Sequence, residues 1–223
     1  MGLGILVIGS SGMGKSASMR HFDGLAVINV LGKPFPFKNE KITAVKESNP
    51  DKIIHILNGA KANSIVIDDA GYMITNYYME NKAPINAKMN DKYAVYDNLA
   101  TNFWKVINSI EKLPPEKIVY IFMHEDVDGV GRVKPRTIGQ ILDNKVCIEG
   151  YFSIVLRSEK IDGQYVFRTN TDGMSVTKSP MDMFPETIEN DLSEVDRVVR
   201  EYYEIGVGKA SKGGKNGKDK EVA

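Results

Sequence analysis

Gly9-Ser10-Ser11-Gly12-Met13-Gly14-Lys15-Ser16 has the spacing G-x-x-x-x-G-K-[ST]. A loop of this kind turns consecutive backbone N–H groups inward around phosphate oxygens, at dihedrals that a side chain disfavours and glycine accepts. Lys15 is then expected to reach the β- and γ-phosphates of ATP, and Ser16 to ligate Mg²⁺. The bland alternative is a glycine-rich turn carrying a surface lysine. A phosphate loop also needs an acidic partner on a neighbouring strand, and Ser64-Ile65-Val66-Ile67-Asp68-Asp69 supplies one, in the manner of a Walker B strand. Asp68 is expected to hold Mg²⁺ through water. Asp69 either orients or deprotonates the attacking water, or merely caps the following turn.

A third apolar run, Ile118–Met123, ends in His124-Glu125-Asp126, which puts polar groups at the sheet edge where α/β proteins bind ligands. His124 is the candidate for sensing the γ-phosphate, and Glu125 is a second candidate for positioning water; a plain strand-end histidine is the alternative. The following segment, Asp128-Gly129-Val130-Gly131-Arg132-Val133-Lys134-Pro135-Arg136, has two glycines and three cations but no aromatic side chain for base stacking. Arg132, Lys134 and Arg136 are candidates for gripping a single-stranded backbone or for reaching a neighbouring subunit's nucleotide, against a solvated loop. Lys178 is a further candidate for a trans-acting cation.

These groups need a scaffold that brings separate strand ends together. Leu3–Ile8 is almost wholly apolar and β-favourable, as a strand buried on both faces must be. Similar runs at Leu25–Val30, Ser64–Asp68, Ile118–His124 and Phe152–Arg157 leave gaps between the first four that are long enough for crossover helices. The pattern predicts an α/β fold with a mostly parallel sheet. Ala17–Arg20 is expected to begin a helix after the phosphate loop. Pro50 at a first turn and Gly59 at a stop bracket another, with Ile53, Ile54 and Leu57 on one face. Val95, Leu99, Phe103, Val106, Ile110 and Leu113 recur at helical spacing until Pro114-Pro115 forbids continuation. Ile188, Leu192, Val195, Val199 and Tyr202 repeat the pattern, with Asp191 and Glu194 spaced as a capping pair. Asp162-Gly163 between Phe152–Arg157 and Gln164–Thr169 predicts an antiparallel hairpin at one edge of the sheet.

The chain of 223 residues suits one large domain, expected over residues 1–205, with residues 206–223 read as a flexible Gly/Lys-rich tail. Its 29 Lys and Arg balance 29 Asp and Glu, so no global positive field draws it onto nucleic acid or anionic lipid, and such binding has to be local. No apolar run approaches the roughly 18 residues of a membrane span, and no membrane partner is expected. One cysteine, Cys147, excludes an internal disulfide, and the absence of an export pattern near Met1 makes a reducing cytoplasm the expected location.

With these residues in place, the sequence resembles a family of small bacteriophage ATP-binding proteins with a RecA-like P-loop core, similar to phage single-strand annealing ATPases. The resemblance runs to about Ile205. It is carried by Gly9–Ser16, by Val27–Pro34 with Pro36-Phe37, by Val66–Asp69, by His124-Glu125, by Thr137-Ile138-Gly139, by Val155–Arg157, and by Lys178–Met181 with Met183-Phe184. It implies a Mg²⁺-dependent ATPase of a bacterial host's phage, serving DNA recombination or replication. Its partners would be single-stranded DNA and a phage replication or recombination protein, and it would assemble as a ring or filament of like subunits. RecA-like proteins often carry a catalytic glutamate beside the phosphate loop; here Lys33, Glu40 and Glu47 follow the second strand and leave the general base unassigned. A nucleotide kinase and a nucleotide-binding scaffold with little turnover are the competing readings. The long separation between Lys15 and Asp68 and the terminal hairpin favour the RecA-like core.

Overall fold

The computed structural model describes residues 1–84, 87–138 and 146–206. Its centre is β1 (Leu3–Ile8), which pairs in parallel with β5 (Ile118–Met123) on one side and β8 (Val155–Ile161) on the other. Beyond β5 come β4 (Ser64–Asp68), β2 (Ala26–Asn29) and β3 (Thr43–Lys46), all parallel, and beyond β8 come β9 (Gln164–Arg168) and β10 (Thr187–Glu189), both antiparallel to their neighbours. The result is an eight-stranded, mostly parallel sheet in the order β10-β9-β8-β1-β5-β4-β2-β3. This is the P-loop NTPase fold, and the antiparallel hairpin that the Asp162-Gly163 turn predicts is β8–β9, one strand in from the edge, which β10 forms.

Successive residues of a strand face opposite sides, so a strand apolar throughout must be covered twice. Leu6 and Ile8 pack with Ile65, Ile67 and Ile121 beneath α1 (Pro50–Gly59), α2 (Gly71–Asn81) and α3 (Met89–Ile110). Ile5 and Val7 pack with Val66, Tyr120, Phe122 and Leu156 beneath α4 (Leu192–Tyr202). Leu99, Phe103, Val106 and Ile110 of α3 are all buried, as their spacing requires. At fully buried side chains such as Val195 and Val199, burial contributes about 1.5–3 kcal/mol each.

Local chemistry sets the helix boundaries. Asn49 caps α1 by accepting from the N–H groups of Asp51 and Lys52 at 3.0 and 3.2 Å, with Pro50 in the first turn. Asp191 caps α4 by accepting from the Ser193 N–H at 2.9 Å, whereas Glu194 turns to Arg197 at 2.9 Å instead of closing a capping box. Beneath the sheet, Asp196 of α4 accepts from Ser64 Oγ at 2.8 Å, Tyr120 OH at 2.9 Å and Arg200 Nε at 2.6 Å. Arg200 also donates to the Glu116 carbonyl at 3.0 Å, so α4 ties β4 and the entry to β5 together away from their C-terminal ends.

Further sequence expectations need correction. Ala17–Arg20 does not begin an α-helix but lies in a six-residue 3-10 turn, Ser16–His21. There Ser18 Oγ donates back to the Lys15 carbonyl at 2.6 Å, and the chain leaves the turn as Phe22 enters the core. Ile188 belongs to β10, opposite Phe167, and not to the last helix. The gap between β1 and β2 therefore holds no crossover α-helix. Elements not read from the sequence are β3, α2, β10 and a separate two-stranded hairpin of β6 (Glu125–Val127) and β7 (Val133–Pro135). Gly139 and the tail beyond Gly206 lie outside the described residues.

Candidate nucleotide site

Because β1, β4 and β5 run in parallel, their C-terminal ends open on one edge of the sheet. β5 stands between the phosphate-loop strand and the acidic strand, with Met123 beside Ile8 and Ile121 beside Ile67. The loop after β1 and the turn after β4 thus face each other across the tip of β5. They border a cleft of about 380 Å³ lined by Gly12, Gly14, Lys15, Ser16, Asp68, Asp69 and His124, with Lys33, Phe35 and Tyr165 at its margins.

Lys15 is 7% exposed, and its ammonium donates to the carbonyls of Gly9 at 2.6 Å and Ser10 at 2.9 Å. Burial pushes its pKa down, opposed by the charges of Asp69 and Asp68. Ser16 Oγ lies 3.1 and 3.0 Å from the two carboxylate oxygens of Asp68. Burial, reinforced by the neighbouring charge of Asp69, raises the Asp68 carboxyl from 3.8 to about 6. A buried carboxylate disfavoured in this way, beside a hydroxyl, is an all-oxygen donor set that gains from a hard divalent cation. Among the described residues no three His, Cys, Asp or Glu side chains are grouped to hold a metal. Mg²⁺ here would take Ser16 and Asp68, with water and substrate oxygens completing its shell.

Asp69 has a left-handed backbone, φ 59°, which swings its side chain over the cleft while its N–H donates to Asp68 Oδ1 at 3.1 Å. Asp69 Oδ2 accepts from Lys33 Nζ at 2.9 Å, and Oδ1 lies 3.5 Å from His124 Nε2. His124 rests edge-on against Tyr72, and burial together with the charge of Lys15 lowers its pKa.

Glu125 stands elsewhere. It accepts from Ser10 Oγ at 2.7 Å and from Arg157 Nε and Nη2 at 2.8 and 3.3 Å, and it does not line the cleft. Burial alone would raise its carboxyl, but Arg157 and Ser10 outweigh burial and hold it below the usual range. Glu40 pairs with Lys38 at 2.6 Å and Glu47 accepts from the Ser48 and Asn49 N–H groups at 2.9 Å, so neither reaches the cleft.

The phosphate loop is braced from behind. A Cβ on Gly9 would meet the Ser158 carbonyl at 2.6 Å, and one on Gly14, at φ 93°, would meet Asn190 Oδ1 at 2.9 Å. Ser158 Oγ donates to the Met13 carbonyl and accepts from Asn190 Nδ2 at 3.1 Å, while Arg20 donates to the Asn190 carbonyl at 2.9 Å. The 3-10 turn is too short to supply much helix dipole, which leaves the loop N–H groups and Lys15 as the principal anion-binding elements.

The four basic candidates are carried by two segments, three along β7 and its ends and the fourth at Lys178. Arg136 sits at the base of the β6–β7 hairpin, its N–H donating to the His124 carbonyl at 2.7 Å, whereas Arg132 lies at the tip, where Asp128 accepts its N–H at 2.8 Å. Lys134 faces Asp126 across the hairpin. Lys178 pairs through its backbone with Val155 at 3.0 and 2.8 Å and does not line the cleft.

A family model described as an AAA domain matches residues 1–181. The chain belongs to this family. No curated protein matches it. The AAA domain assignment makes this an ATP-binding domain of the ATPase class, in agreement with the strand order and with the loop at Gly9–Ser16. Residues 182–206 lie past the matched span, yet Asn190 braces the phosphate loop of the AAA domain and α4 covers one face of its sheet. Among the described residues no helix is long and apolar enough to cross a membrane.

Several site residues were not singled out by the sequence reading. Arg157 on β8 falls in the Val155–Arg157 run that carries the resemblance but is given no site role there, whereas Tyr165 on β9 and Asn190 before α4 are marked by no local pattern. Phe35 has a visible signal in the rigid Pro34-Phe35-Pro36 stretch, where its ring stacks on Phe37 at 5.2 Å.

Proposed function

We propose that this AAA domain hydrolyses Mg·ATP and that turnover serves phage DNA recombination or replication on single-stranded DNA, in a homo-oligomeric ring or filament. The observation that carries the nucleotide half is the Ser16–Asp68 contact across the tip of β5, beside a buried Lys15. In this reading the loop N–H groups and Lys15 bind the β- and γ-phosphates, Lys15 exchanging its two carbonyl acceptors for phosphate oxygens. Ser16 and Asp68 hold Mg²⁺, which when bound neutralises charge building on the phosphates. Asp69 accepts the proton of the attacking water, and neutral His124 donates to the γ-phosphate. Glu125, engaged by Arg157 and Ser10, acts as a positioning residue for the loop and not as the base.

The DNA half rests on the resemblance to phage annealing ATPases and on the cations of the β6–β7 hairpin. Arg136 joins that hairpin to His124, which gives bound DNA a route to the γ-phosphate. The test is phosphate release from Mg·ATP by wild type and Lys15→Ala, each with and without single-stranded DNA at low salt. DNA-stimulated turnover lost in the variant supports the proposal. Turnover indifferent to DNA removes the recombination role, and transfer of phosphate to a nucleoside monophosphate would reveal a kinase instead.

A further inference from the structure

Lys33 is a second cleft cation, and the phosphate loop does not account for it. It lies in the connection after β2, whose parallel pairing with β4 sets Asn29 beside Asp68. Asn29 folds this connection back on itself: its Oδ1 accepts from the Gly32 N–H at 2.7 Å and its Nδ2 donates to the Lys33 carbonyl at 2.7 Å. Gly32 occupies the left-handed region at φ 69°, which the tight return requires. The folded connection delivers the Lys33 ammonium to Asp69 Oδ2 at 2.9 Å and over the Tyr72 ring at 5.3 Å.

Two further observations place that ammonium where a terminal phosphate would act on it. Lys33 lines the same cleft as Lys15, Ser16, Asp68 and His124, and its charge is felt at both Lys15 and His124. Its side chain is 56% exposed, held by the ion pair to Asp69 and the face of Tyr72 and not by close packing, so it can change partner. Asp69, in contrast, is 13% exposed and fixed by its left-handed backbone.

We propose that Lys33 recognises the γ-phosphate from within the same chain, and that doing so releases Asp69. With ADP the Lys33–Asp69 pair persists and Asp69 Oδ2 is occupied. With ATP the more highly charged γ-phosphate, brought in by Lys15, outcompetes the single carboxylate for Lys33. Asp69 Oδ2 is then free to accept a hydrogen bond from water. The acceptor for the water's proton is therefore uncovered only when a phosphate that can be attacked is present. No covalent bond is made or broken in this exchange; the charged hydrogen bond from Lys33 to Asp69 is given up for one to the phosphate.

This inference rests on the nucleotide reading above, and binding measurements separate the two. Affinities for Mg·ADP and for a non-hydrolysable β,γ-imido analogue of ATP are measured by calorimetry on wild type, Lys33→Met and Lys33→Arg. The expected result is that Lys33→Met weakens the triphosphate about tenfold, as loss of a charged hydrogen bond does, and ADP by no more than about twofold. Lys33→Arg should keep most of the wild-type preference. Equal weakening of both nucleotides, or no change in either, overturns the role of Lys33 while leaving the site intact. Failure of the wild type to bind either nucleotide overturns the site assignment and this inference with it.

Discussion

Replacing Asp68 by Asn should stabilise the metal-free protein at alkaline pH. Burial and the neighbouring Asp69 charge raise the Asp68 carboxyl from the ordinary 3.8 to about 6, so between those values the folded chain holds a proton that the unfolded chain releases. Stability contributed by the protonated carboxyl is complete below about pH 3.8, falls as pH rises through the window, and is lost above about 6. At pH 8 the ionised group then costs about 3 kcal/mol, taking 1.36 kcal/mol per pH unit. Asparagine removes the charge and keeps one carbonyl oxygen for Ser16, but the wild-type carboxylate accepts from both Ser16 and the Asp69 N–H. Losing one such acceptor returns about 1 kcal/mol. The net gain expected at pH 8 is about 2 kcal/mol, shrinking to well under 1 kcal/mol by pH 5. Urea unfolding followed by circular dichroism, in chelator at both pH values, measures it. Equal stabilisation at both would show that charge is not the cause. Destabilisation at pH 8 would refute the reasoning, because Ser16 and Lys15 would then satisfy the carboxylate unaided. Saturating Mg·ATP should reverse the ranking, adding about 2.7 kcal/mol to wild type at a hundredfold excess over Kd and little to the variant.

Gly9→Ala should cost about 1–3 kcal/mol in urea unfolding, through overpacking against the Ser158 carbonyl, and should weaken nucleotide binding in calorimetry because the loop is displaced. Asp196→Ala should lower stability by about 3 kcal/mol or more in the same unfolding assay, since Tyr120, Ser64 and Arg200 lose a shared acceptor; a change below about 1 kcal/mol would show the network to be dispensable. In an NMR titration His124 should take up its proton below the ordinary histidine value of 6.5, because burial and then Lys15 oppose the charge, and Lys15→Ala should move it upward.

The phosphate loop and acidic strand were legible because their chemistry is local. Gly12, Gly14, Lys15 and Ser16 must be consecutive or nearly so to wrap one phosphate group, and Asp68 must end an apolar strand. α1, α3 and α4 were legible because Asn49, Pro114 and Asp191 punctuate strong apolar periodicity. β3 was not, because Thr43, Ala44, Val45 and Lys46 are all exposed on an edge and need no alternation. α2 was missed because Gly71–Asn81 mixes tyrosine, methionine and polar residues around its whole circumference. The helix expected after Ser16 forms as a short 3-10 turn because Ser18 bonds back locally to the Lys15 carbonyl and Phe22 is then drawn into the core. Glu125 reads as a catalytic carboxylate from its place after β5, but its partner Arg157 is 32 positions away and invisible to spacing.

The bracing of the phosphate loop also sets an order in time. β1 is made long before β5 and β8, the strands that flank it, and the Arg20–Asn190 contact closes over 170 positions. At ordinary rates of synthesis the interval is on the order of ten seconds. Until β5 has been made, Ile5, Leu6, Val7 and Ile8, wholly buried in the finished fold, have no neighbouring strand to join. The nascent chain therefore carries an apolar strand ahead of its sheet neighbours, and the brace on the phosphate loop closes only once Asn190 has been made.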